Sequence, residues 1–271
     1  MGVRRYYLDI ATTGLIHIGN GKQYGKRDYF ASGNKIAVLD TRKFISRLTA
    51  QQVERYCKFL EDGYARLQDF FGKNPDLLRA AEQSVAYKID SPLATARRGS
   101  IQYHDVWEFV KDPYGKPYIP GSSVKGMLRT ALLLNMVLDD KELCSLFDID
   151  RVCDVKGKKS AGNHIERRAF WKEQPNPADP GVVNDIMKYV SVSDSAPLST
   201  GDLVFAKKFD KFSKNDPADH KLDMGKCTIK GGNELDVYRE CLRPGVHVSV
   251  QIAVDDRMDA YVSNPVLDAQ G

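Results

Sequence analysis

One short stretch predicts the end of a strand, a tight turn and the start of a helix. It spans residues 118–130 and reads Tyr-Ile-Pro-Gly-Ser-Ser-Val-Lys-Gly-Met-Leu-Arg-Thr. The Pro-Gly pair predicts the turn, and Ser122 or Ser123 can cap the amides of a helix that continues to residue 138. Lys125 and Arg129 lie one helical turn apart on the same face, beside the positive end of the helix dipole. Such a helix start suits a phosphate group, although a plain capped strand-to-helix connection has the same pattern.

The distribution of charge is more informative than its total. The chain has 271 residues, a length that predicts about two domains, and its net charge is +4. So small a total gives no argument for a nucleic-acid partner by itself. Residues 151–172, however, hold seven Lys or Arg against two acidic residues and lead into a Pro-rich stretch that ends at residue 180. We expect this segment to be an exposed basic insertion.

Cysteine spacing and hydropathy indicate the compartment. The five cysteines show no Cys-x-x-Cys and no paired Cys/His spacing, which favours neither a zinc site nor a disulfide framework. The first residues have neither the apolar core of a signal peptide nor the length of a membrane helix. We therefore predict a protein of the reducing cytoplasm that needs no metal, no cofactor and no membrane.

Apolar patterning predicts a mixed α and β fold. The best-defined helix begins at the capping box formed by Thr49 and Gln52 and ends at Gly72. Its predicted buried face carries Val53, Tyr56, Cys57, Leu60, Tyr64, Leu67 and Phe71. Extended segments are predicted at residues 5–12, 36–39, 84–90, 101–110, 190–193 and 203–208. Residues 237–242 and 246–254 are predicted to pair with each other across the Arg-Pro-Gly turn between them.

Three blocks of sequence resemble one protein family. Pro-Gly-Ser-Ser-x-Lys-Gly-x-x-Arg-Thr, which begins at residue 120, is similar to a signature of the RAMP superfamily of CRISPR proteins. Two further blocks look like the fifth Csm subunit family of type III-A effector complexes. They are residues 8–21, Leu-Asp-Ile-Ala-Thr-Thr-Gly-Leu-Ile-His-Ile-Gly-Asn-Gly, and residues 238–245, Tyr-Arg-Glu-Cys-Leu-Arg-Pro-Gly. Val-Ser-Asp-Ser at residues 192–195 lies between them and is a weaker match.

The resemblance implies an α+β fold made of ferredoxin-like (RRM-like) modules, each an antiparallel sheet backed by two helices. On this basis we expect an N-terminal module over residues 1–150, the basic Pro-rich insertion over residues 151–180 and a second, β-rich module over residues 181–271. Family members commonly continue with further sheet near the C-terminus. The second module is therefore expected to be shortened or incomplete.

The resemblance also implies a function. It implies a non-catalytic RNA-binding subunit that caps the end of the type III-A filament near the 3′ part of the guide RNA. The implied partners are the CRISPR guide RNA and the adjacent RAMP backbone subunit, with target RNA and maturation nucleases as further candidates. The implied role is support of guide maturation and antiviral defence.

Basic positions near glycines are the predicted RNA contacts. Taken alone, each is more typical of a solvated surface charge, but together they suit a groove that follows a ribose-phosphate backbone. Tyr24, Tyr29 and Trp171 are predicted to stack on bases without choosing sequence. The full set of predicted RNA contacts is His17, Gly19, Asn20, Gly21, Lys22, Arg27, Arg97, Arg98, Ser122, Ser123, Lys125, Arg129, Arg167, Arg168, Arg239 and Arg243.

Other chemistries fit the sequence less well. Residues 121–126 do not match a Walker A loop, and the His-x-Glu at residues 164–166 lacks the Pro-Cys-x-x-Cys of zinc deaminases. RNA can be cleaved by acid and base groups alone, so the main alternative is a metal-independent endoribonuclease that processes guide RNA with His17. A different RAMP subunit, at the 5′-handle end of the guide, is the other. Asp194, flanked by serines, is expected to anchor backbone amides.

Overall fold

The computed structural model describes residues 2–63, 66–72, 74–91, 105–139, 166, 169–171, 185–210 and 233–259. Its main elements, in chain order, are β1 (Val3–Ala11), β2 (Gly19–Tyr24), β3 (Tyr29–Ser32), β4 (Lys35–Leu39), α1 (Thr41–Ile45), α2 (Ala50–Glu61), α3 (Leu67–Phe71), α4 (Pro75–Glu82), β5 (Val85–Asp90), β6 (Val106–Phe109), α5 (Gly121–Asp139), β7 (Val190–Val192), β8 (Leu203–Asp210), β9 (Asn233–Leu242) and β10 (His247–Asp255). The fold is mixed α+β, as predicted.

The chain forms two compact units that interleave in sequence. Unit 1 comprises Met1–Ile10, Tyr118–Ala196 and His247–Gly271, and unit 2 comprises Ala11–Pro117 and Pro197–Val246. The units interleave because strands from the last third of the chain pair with strands from the first half. The division at residues 150 and 180 stays a prediction. Most of the predicted insertion lies outside the described residues. The ferredoxin-like topology of each module stays a prediction.

Unit 2 is built on a seven-stranded sheet with the order β2-β6-β9-β8-β5-β4-β3. The neighbours β5 and β8, and likewise β6 and β9, are parallel, so the expectation of a purely antiparallel sheet is wrong for this unit. The two edge strands follow each other in sequence, and the rings of Tyr24 on β2 and Tyr29 on β3 lie 5.5 Å apart. The sheet therefore curves around an interior where Phe205 stacks on Tyr238 with ring centroids 5.0 Å apart.

Helix α2 begins where the sequence predicts. The Thr49 hydroxyl accepts from the Gln52 amide at 3.3 Å, and the Gln52 side chain accepts from the Thr49 amide at 2.8 Å. The helix ends at Glu61, however, and α3 is a separate helix, so the prediction of one helix through residue 71 is wrong. Arg27 donates to the main-chain oxygens of Leu60 (2.8 Å) and Asp62 (2.5 Å), and this contact satisfies carbonyls that a longer helix would use.

The helices of unit 2 cover one face of its sheet with an aromatic core. Tyr56 is buried on the inward face of α2, as predicted, and Phe59 joins it, whereas the predicted Cys57 and Leu60 are exposed. Edge-to-face ring contacts, such as Phe30 on Phe71 at 5.3 Å, fix the packing of the helices on the strands. The buried members of this core are Phe30, Ala37, Leu39, Phe44, Tyr56, Phe59, Leu67, Phe70, Phe71, Leu77 and Ala81.

Strands β9 and β10 do not form the predicted hairpin, since β9 lies in the seven-stranded sheet and β10 in a separate three-stranded sheet. Buried Thr12 holds the turn between them. Its hydroxyl donates to the Arg243 carbonyl at 2.7 Å and accepts from the Val246 amide at 2.9 Å, while the Gly245 amide donates to its main-chain oxygen at 2.7 Å. Gly245 has a φ of 84° in this turn, a conformation that favours glycine.

Glu240 on β9 is a fully buried carboxylate in the interior of unit 2. Its Oε1 accepts from the hydroxyls of Tyr24 (3.2 Å) and Tyr87 (2.7 Å). Its Oε2 accepts from the Phe109 amide at 2.9 Å and from the Lys111 ammonium at 2.5 Å. Burial, and then the Glu240 charge, raise the pKa of both tyrosines, so they remain neutral donors. These contacts offset the desolvation of the carboxylate and join β2, β5 and β9 to the end of β6.

Unit 1 contains a three-stranded sheet with the order β1-β10-β7, and α5 packs on one of its faces. β7 and β10 are antiparallel, with Val192 opposite Ile252. Apolar side chains from α5, from the 3-10 turn Ile186–Tyr189 and from the two strands form the core. Its members include Leu133, Met136, Phe170, Met187, Val190, Val192 and Ile252.

The Pro-Gly turn before α5 packs tightly on the end of β7. The Ile119 amide donates to the Ser195 hydroxyl at 2.9 Å, and the Ser195 amide donates to the Ile119 carbonyl at 3.0 Å. A Cβ atom at Gly121 would overlap the main-chain oxygen of Val192 and would lie 2.7 Å from that of Ser193. Glycine at this position is therefore required by packing.

The buried ion pair of unit 2 should dominate its stability. Lys111→Met leaves the Glu240 carboxylate buried without its cation, so we expect the free energy of unfolding to fall by about 3–5 kcal/mol in urea denaturation. The double variant Lys111→Met/Glu240→Gln removes both charges and should lose less than Lys111→Met alone. The control Lys58→Met, in an exposed pair with Glu54, should change stability by less than about 1 kcal/mol. Equal losses in Lys111→Met and Lys58→Met would contradict this account.

Two glycines of α5 should respond to alanine in opposite directions. Gly121→Ala forces the helix start away from β7, and we expect a loss of about 1–3 kcal/mol or more in the free energy of unfolding. Gly126 has no atom within 4 Å of its added Cβ, so Gly126→Ala should stabilise the helix by about 1 kcal/mol. Urea or thermal unfolding measures both effects, and a Gly121→Ala protein as stable as the unmodified chain would rule out the packing argument.

Candidate nucleic-acid interface

Strand β2 forms an exposed, irregular edge of the sheet of unit 2. Residues 19–23 are all exposed, and the pairing with β6 shifts register between Gly19 and Gln23. Gly21 lies within this shift with a φ of 79°, a conformation that favours glycine. The Asn20 side chain holds the irregularity, because it accepts from the Lys22 amide at 2.8 Å and donates to Glu108 at 2.9 Å. The edge therefore presents main-chain groups that side chains cover little.

His17 precedes this edge and is held by β9. Its Nδ1 lies 2.8 Å from the main-chain oxygen of Glu240, and its ring meets the Phe109 ring edge-on at 6.4 Å. A Cβ at Gly19 would lie 3.0 Å from His17 Nε2, so the glycine leaves room for the ring. The structure thus brings four predicted contacts, His17, Gly19, Asn20 and Gly21, together with Lys22 in one short segment.

Lys22 supplies the positive charge of the β2 edge. Its side chain is exposed, and in the part of the chain that the structure describes it forms no ion pair. Exposed main-chain amides beside such an ammonium form a surface on which an anion can accept several hydrogen bonds. The exposed backbone of this segment and the Lys22 ammonium are chemically suited to an anion. Among the described residues, no group of three or more His, Cys, Asp or Glu is placed to hold a metal ion.

The start of α5 differs from the predicted anion site. Asp194 Oδ1 accepts from the Gly121 amide at 2.7 Å, so a carboxylate, rather than the side chain of Ser122 or Ser123, occupies the first amide of the helix. Asp194 anchors a backbone amide, as the sequence predicts. A negative charge at this position already interacts with the helix dipole and would repel a phosphate there. Lys125, one turn further on, is partly exposed.

Arg129 is used within the fold. Its guanidinium donates to the carboxylates of Asp185 at 2.6 Å and Glu166 at 3.2 Å. The guanidinium carbon Cζ lies 4.2 Å from the centroid of the Phe170 ring. These contacts connect α5 to the residues before β7. RNA contact by Arg129 stays a prediction, and an RNA phosphate would have to compete with these two carboxylates for the guanidinium.

Arg27 and Arg243, two other predicted RNA contacts, also donate hydrogen bonds to groups of their own unit. Arg27 satisfies the carbonyls at the end of α2, as described above. Arg243 donates to Asp90 at 2.9 Å and to the Gly201 carbonyl at 2.5 Å. The Arg243 guanidinium, followed by Lys35, lowers the pKa of Asp90. The sequence shows these arginines as cations but does not show that the fold uses their donors.

The other predicted arginines and aromatic residues lie outside the described residues or are at least partly buried. Trp171 is partly buried, and its stacking on bases stays a prediction. Arg97, Arg98, Arg167 and Arg168 lie outside the described residues. Arg239 lies on β9 and is partly buried, and its enclosed Nε has no hydrogen-bond partner among the described residues. The prediction that Tyr24 and Tyr29 stack on bases is wrong, because both rings are buried in unit 2. Sequence analysis missed Tyr7, a strongly exposed aromatic on β1, although strand alternation within residues 5–12 separates it from its apolar neighbours.

Comparison with known proteins identifies the family. The model of the RAMP superfamily matches residues 9–266. The "CRISPR system Cms protein Csm5" of Mycobacterium tuberculosis (strain ATCC 25618 / H37Rv) is 26% identical over 269 residues, which cover 93% of this chain and 67% of that protein. The protein of the same name from Streptococcus thermophilus is 28% identical over 266 residues, with coverages of 92% and 64%.

Solved structures share the fold. The crystal structure of T. onnurineus Csm5 matches with a TM-score of 0.67 at 20% identity, covering 94% of this chain and 70% of that one. A chain of a Csm-crRNA-target RNA ternary complex, determined by cryo-EM, matches with a TM-score of 0.63 at 20% identity and coverages of 95% and 66%. The chain thus spans about two thirds of the length of these relatives. No helix among the described residues is long and apolar enough to cross a membrane. Because the family model extends over nearly all of the sequence, the chain belongs to the RAMP superfamily.

Proposed function

We propose that this chain is a non-catalytic RNA-binding subunit of a type III-A CRISPR effector complex, which caps the filament near the 3′ part of the guide RNA and supports guide maturation and antiviral defence. The observation that carries the proposal is the exposed glycine-containing edge of β2 with Lys22 beside it. Relatives named Csm5, and a fold match within a complex of Csm proteins, crRNA and target RNA, support the assignment to this assembly.

The β2 edge is suited to an RNA backbone rather than to bases. Gly19 and Gly21 carry no side chain, so a phosphate can approach the main-chain amides closely. Lys22 adds a flexible cation that neutralises one phosphate without geometric preference. Contacts of this kind fix the position of a strand but do not read its sequence. This is the behaviour required of a subunit that holds guides of many sequences.

A second contact is assigned to Lys125 on α5. The side chain is partly exposed and, within the described residues, forms no ion pair. Arg129 is instead assigned to the packing of unit 1, because its carboxylate partners would have to be given up before it could bind a phosphate. The proposal therefore separates two cations that the sequence shows as equivalent.

An apolar stripe on α5 supports a protein neighbour. Met127, Leu134 and Leu138 lie about one or two turns apart and are 51%, 58% and 72% exposed. Large apolar side chains lined up on a helix surface are typical of protein contacts. We assign this stripe to the adjacent RAMP backbone subunit of the filament.

The environment of His17 supports a non-catalytic role. General acid and base catalysis requires a proton acceptor near the reacting 2′-hydroxyl and a donor near the leaving oxygen. In the described part of the chain, the His17 ring bonds to a main-chain carbonyl and not to a carboxylate that would orient it for catalysis. We therefore assign His17 to the support of the β2 edge.

RNA affinity should depend on Lys22 and Lys125. We expect Lys22→Ala and Lys125→Ala each to weaken the binding of unrelated single-stranded RNAs to a similar extent and to reduce the slope of log Kd against log salt by about 0.7. Fluorescence anisotropy over a salt series measures both effects. The matched control is Lys58→Ala, an exposed lysine that pairs with Glu54 on α2, and its slope should not change. Unchanged slopes in both Lys22→Ala and Lys125→Ala would overturn the assignment.

The purified chain should not cleave guide precursor. Labelled precursor incubated with the chain and EDTA is expected to remain intact, and His17→Ala should give the same result. Cleavage by the unmodified chain that disappears in His17→Ala would identify a metal-independent endoribonuclease and refute the non-catalytic role. The position of the chain in an assembled complex would distinguish a subunit at the 3′ end from one at the 5′ handle.

A further inference from the structure

The three-stranded sheet of unit 1 has one covered face and one exposed face. On β10, Val248 and Val250 are buried, whereas His247 and Ser249 between and beside them are exposed. Successive side chains of a strand point to opposite faces, and α5 packs on the side of the buried valines. The opposite side is therefore open to solvent. Ser191 on β7 belongs to this exposed face, because it lies opposite Ala253 in the pairing of β7 with β10.

Tyr7 lies on the exposed face and is held in place. The Gln251 side chain on neighbouring β10 donates from Nε2 to the Tyr7 hydroxyl at 3.2 Å, which fixes the ring toward β10. Even so, 74% of the Tyr7 surface is exposed. An aromatic ring that is both anchored and exposed loses little side-chain entropy when a flat group stacks on it.

The surroundings of Tyr7 favour a nucleotide over a protein. Ser191 and Ser249 are small, polar and exposed, so they leave space above the sheet for a flat group. Val3, an exposed apolar residue of this face, lies beyond Arg5 from Tyr7. Arg5 lies on the same face as Tyr7 and, within the described residues, forms no ion pair. Asp9 is also exposed on this face, beyond Tyr7, so the positive charge is confined to the Arg5 side.

We propose that the open face of this sheet is a base-stacking platform, on which Tyr7 stacks against an unpaired RNA base and Arg5 contacts an adjacent phosphate. The inference rests on the proposed RNA-binding function and adds a second, separate contact within unit 1. Base stacking on an aromatic ring tolerates every base, and a neighbouring arginine adds charge without reading sequence. The platform would thus bind guides or targets of any sequence.

The test uses the full chain and a single-stranded RNA of about 12 nucleotides that contains one 2-aminopurine, whose fluorescence falls when it stacks. Tyr7→Leu should weaken Kd about tenfold and reduce the quenching, because a stacked base typically contributes about 1–3 kcal/mol. Tyr7→Phe keeps the ring and should stay within about threefold of the unmodified chain. The matched control Tyr6→Leu removes a ring that is 51% exposed on the opposite face, and its Kd should not change.

The outcomes separate this inference from the proposed function. If the unmodified chain binds no RNA, both fail. If RNA binds and Tyr7→Leu changes neither Kd nor quenching, the stacking platform alone is overturned. Loss of assembly with the neighbouring subunit at unchanged RNA affinity would also overturn it, since the face would then bind protein. If Tyr7→Leu does not fold, as judged by circular dichroism, the 2-aminopurine fluorescence is compared for the unmodified chain and Tyr7→Phe. Similar quenching by both supports the platform, and no quenching by either overturns it.

Discussion

The architecture of unit 2 depends on one buried carboxylate. Glu240 accepts hydrogen bonds from side chains of β2 and β5 and from the segment at the end of β6, and its own strand supplies the carbonyl that holds His17. A charge in the interior is tolerated only when such partners surround it. Glu240 therefore connects strands in the interior of the sheet to His17, which precedes the exposed β2 edge. The proposed RNA contact lies on a strand whose position the core determines.

Glycines and basic residues each have two kinds of role in this structure. Gly121 allows close packing within unit 1, whereas Gly21 shapes an exposed irregular edge. Arg129 and Arg243 bind carboxylates of their own units, whereas Lys22 has an exposed side chain. An arginine that already pairs with a carboxylate of its own unit contributes to stability and little to binding. This division explains why a small set of cations, rather than every basic position, defines the proposed RNA surface.

Local signals in the sequence predicted much of the fold. The capping box at Thr49, the long helix after the Pro-Gly turn and most of the strand positions depend on neighbouring residues, so they can be recognised without the tertiary structure. The pairing of β9 was mispredicted because Thr12, far away in sequence, holds the following turn. The carboxylate that occupies the start of α5 comes from Asp194, and the burial of Tyr24 and Tyr29 follows from sheet curvature. Contacts between distant residues decided each of these cases, and an isolated sequence does not contain them.

The central claim is that the β2 edge touches RNA, and photo-crosslinking tests it most directly. The purified chain would be irradiated with single-stranded RNA that carries 4-thiouridine, and the crosslinked peptides would be identified by mass spectrometry. The account predicts crosslinks within residues 17–24. Efficient crosslinking that leaves residues 17–24 unmodified and falls instead on the helical layer of unit 2 would contradict it.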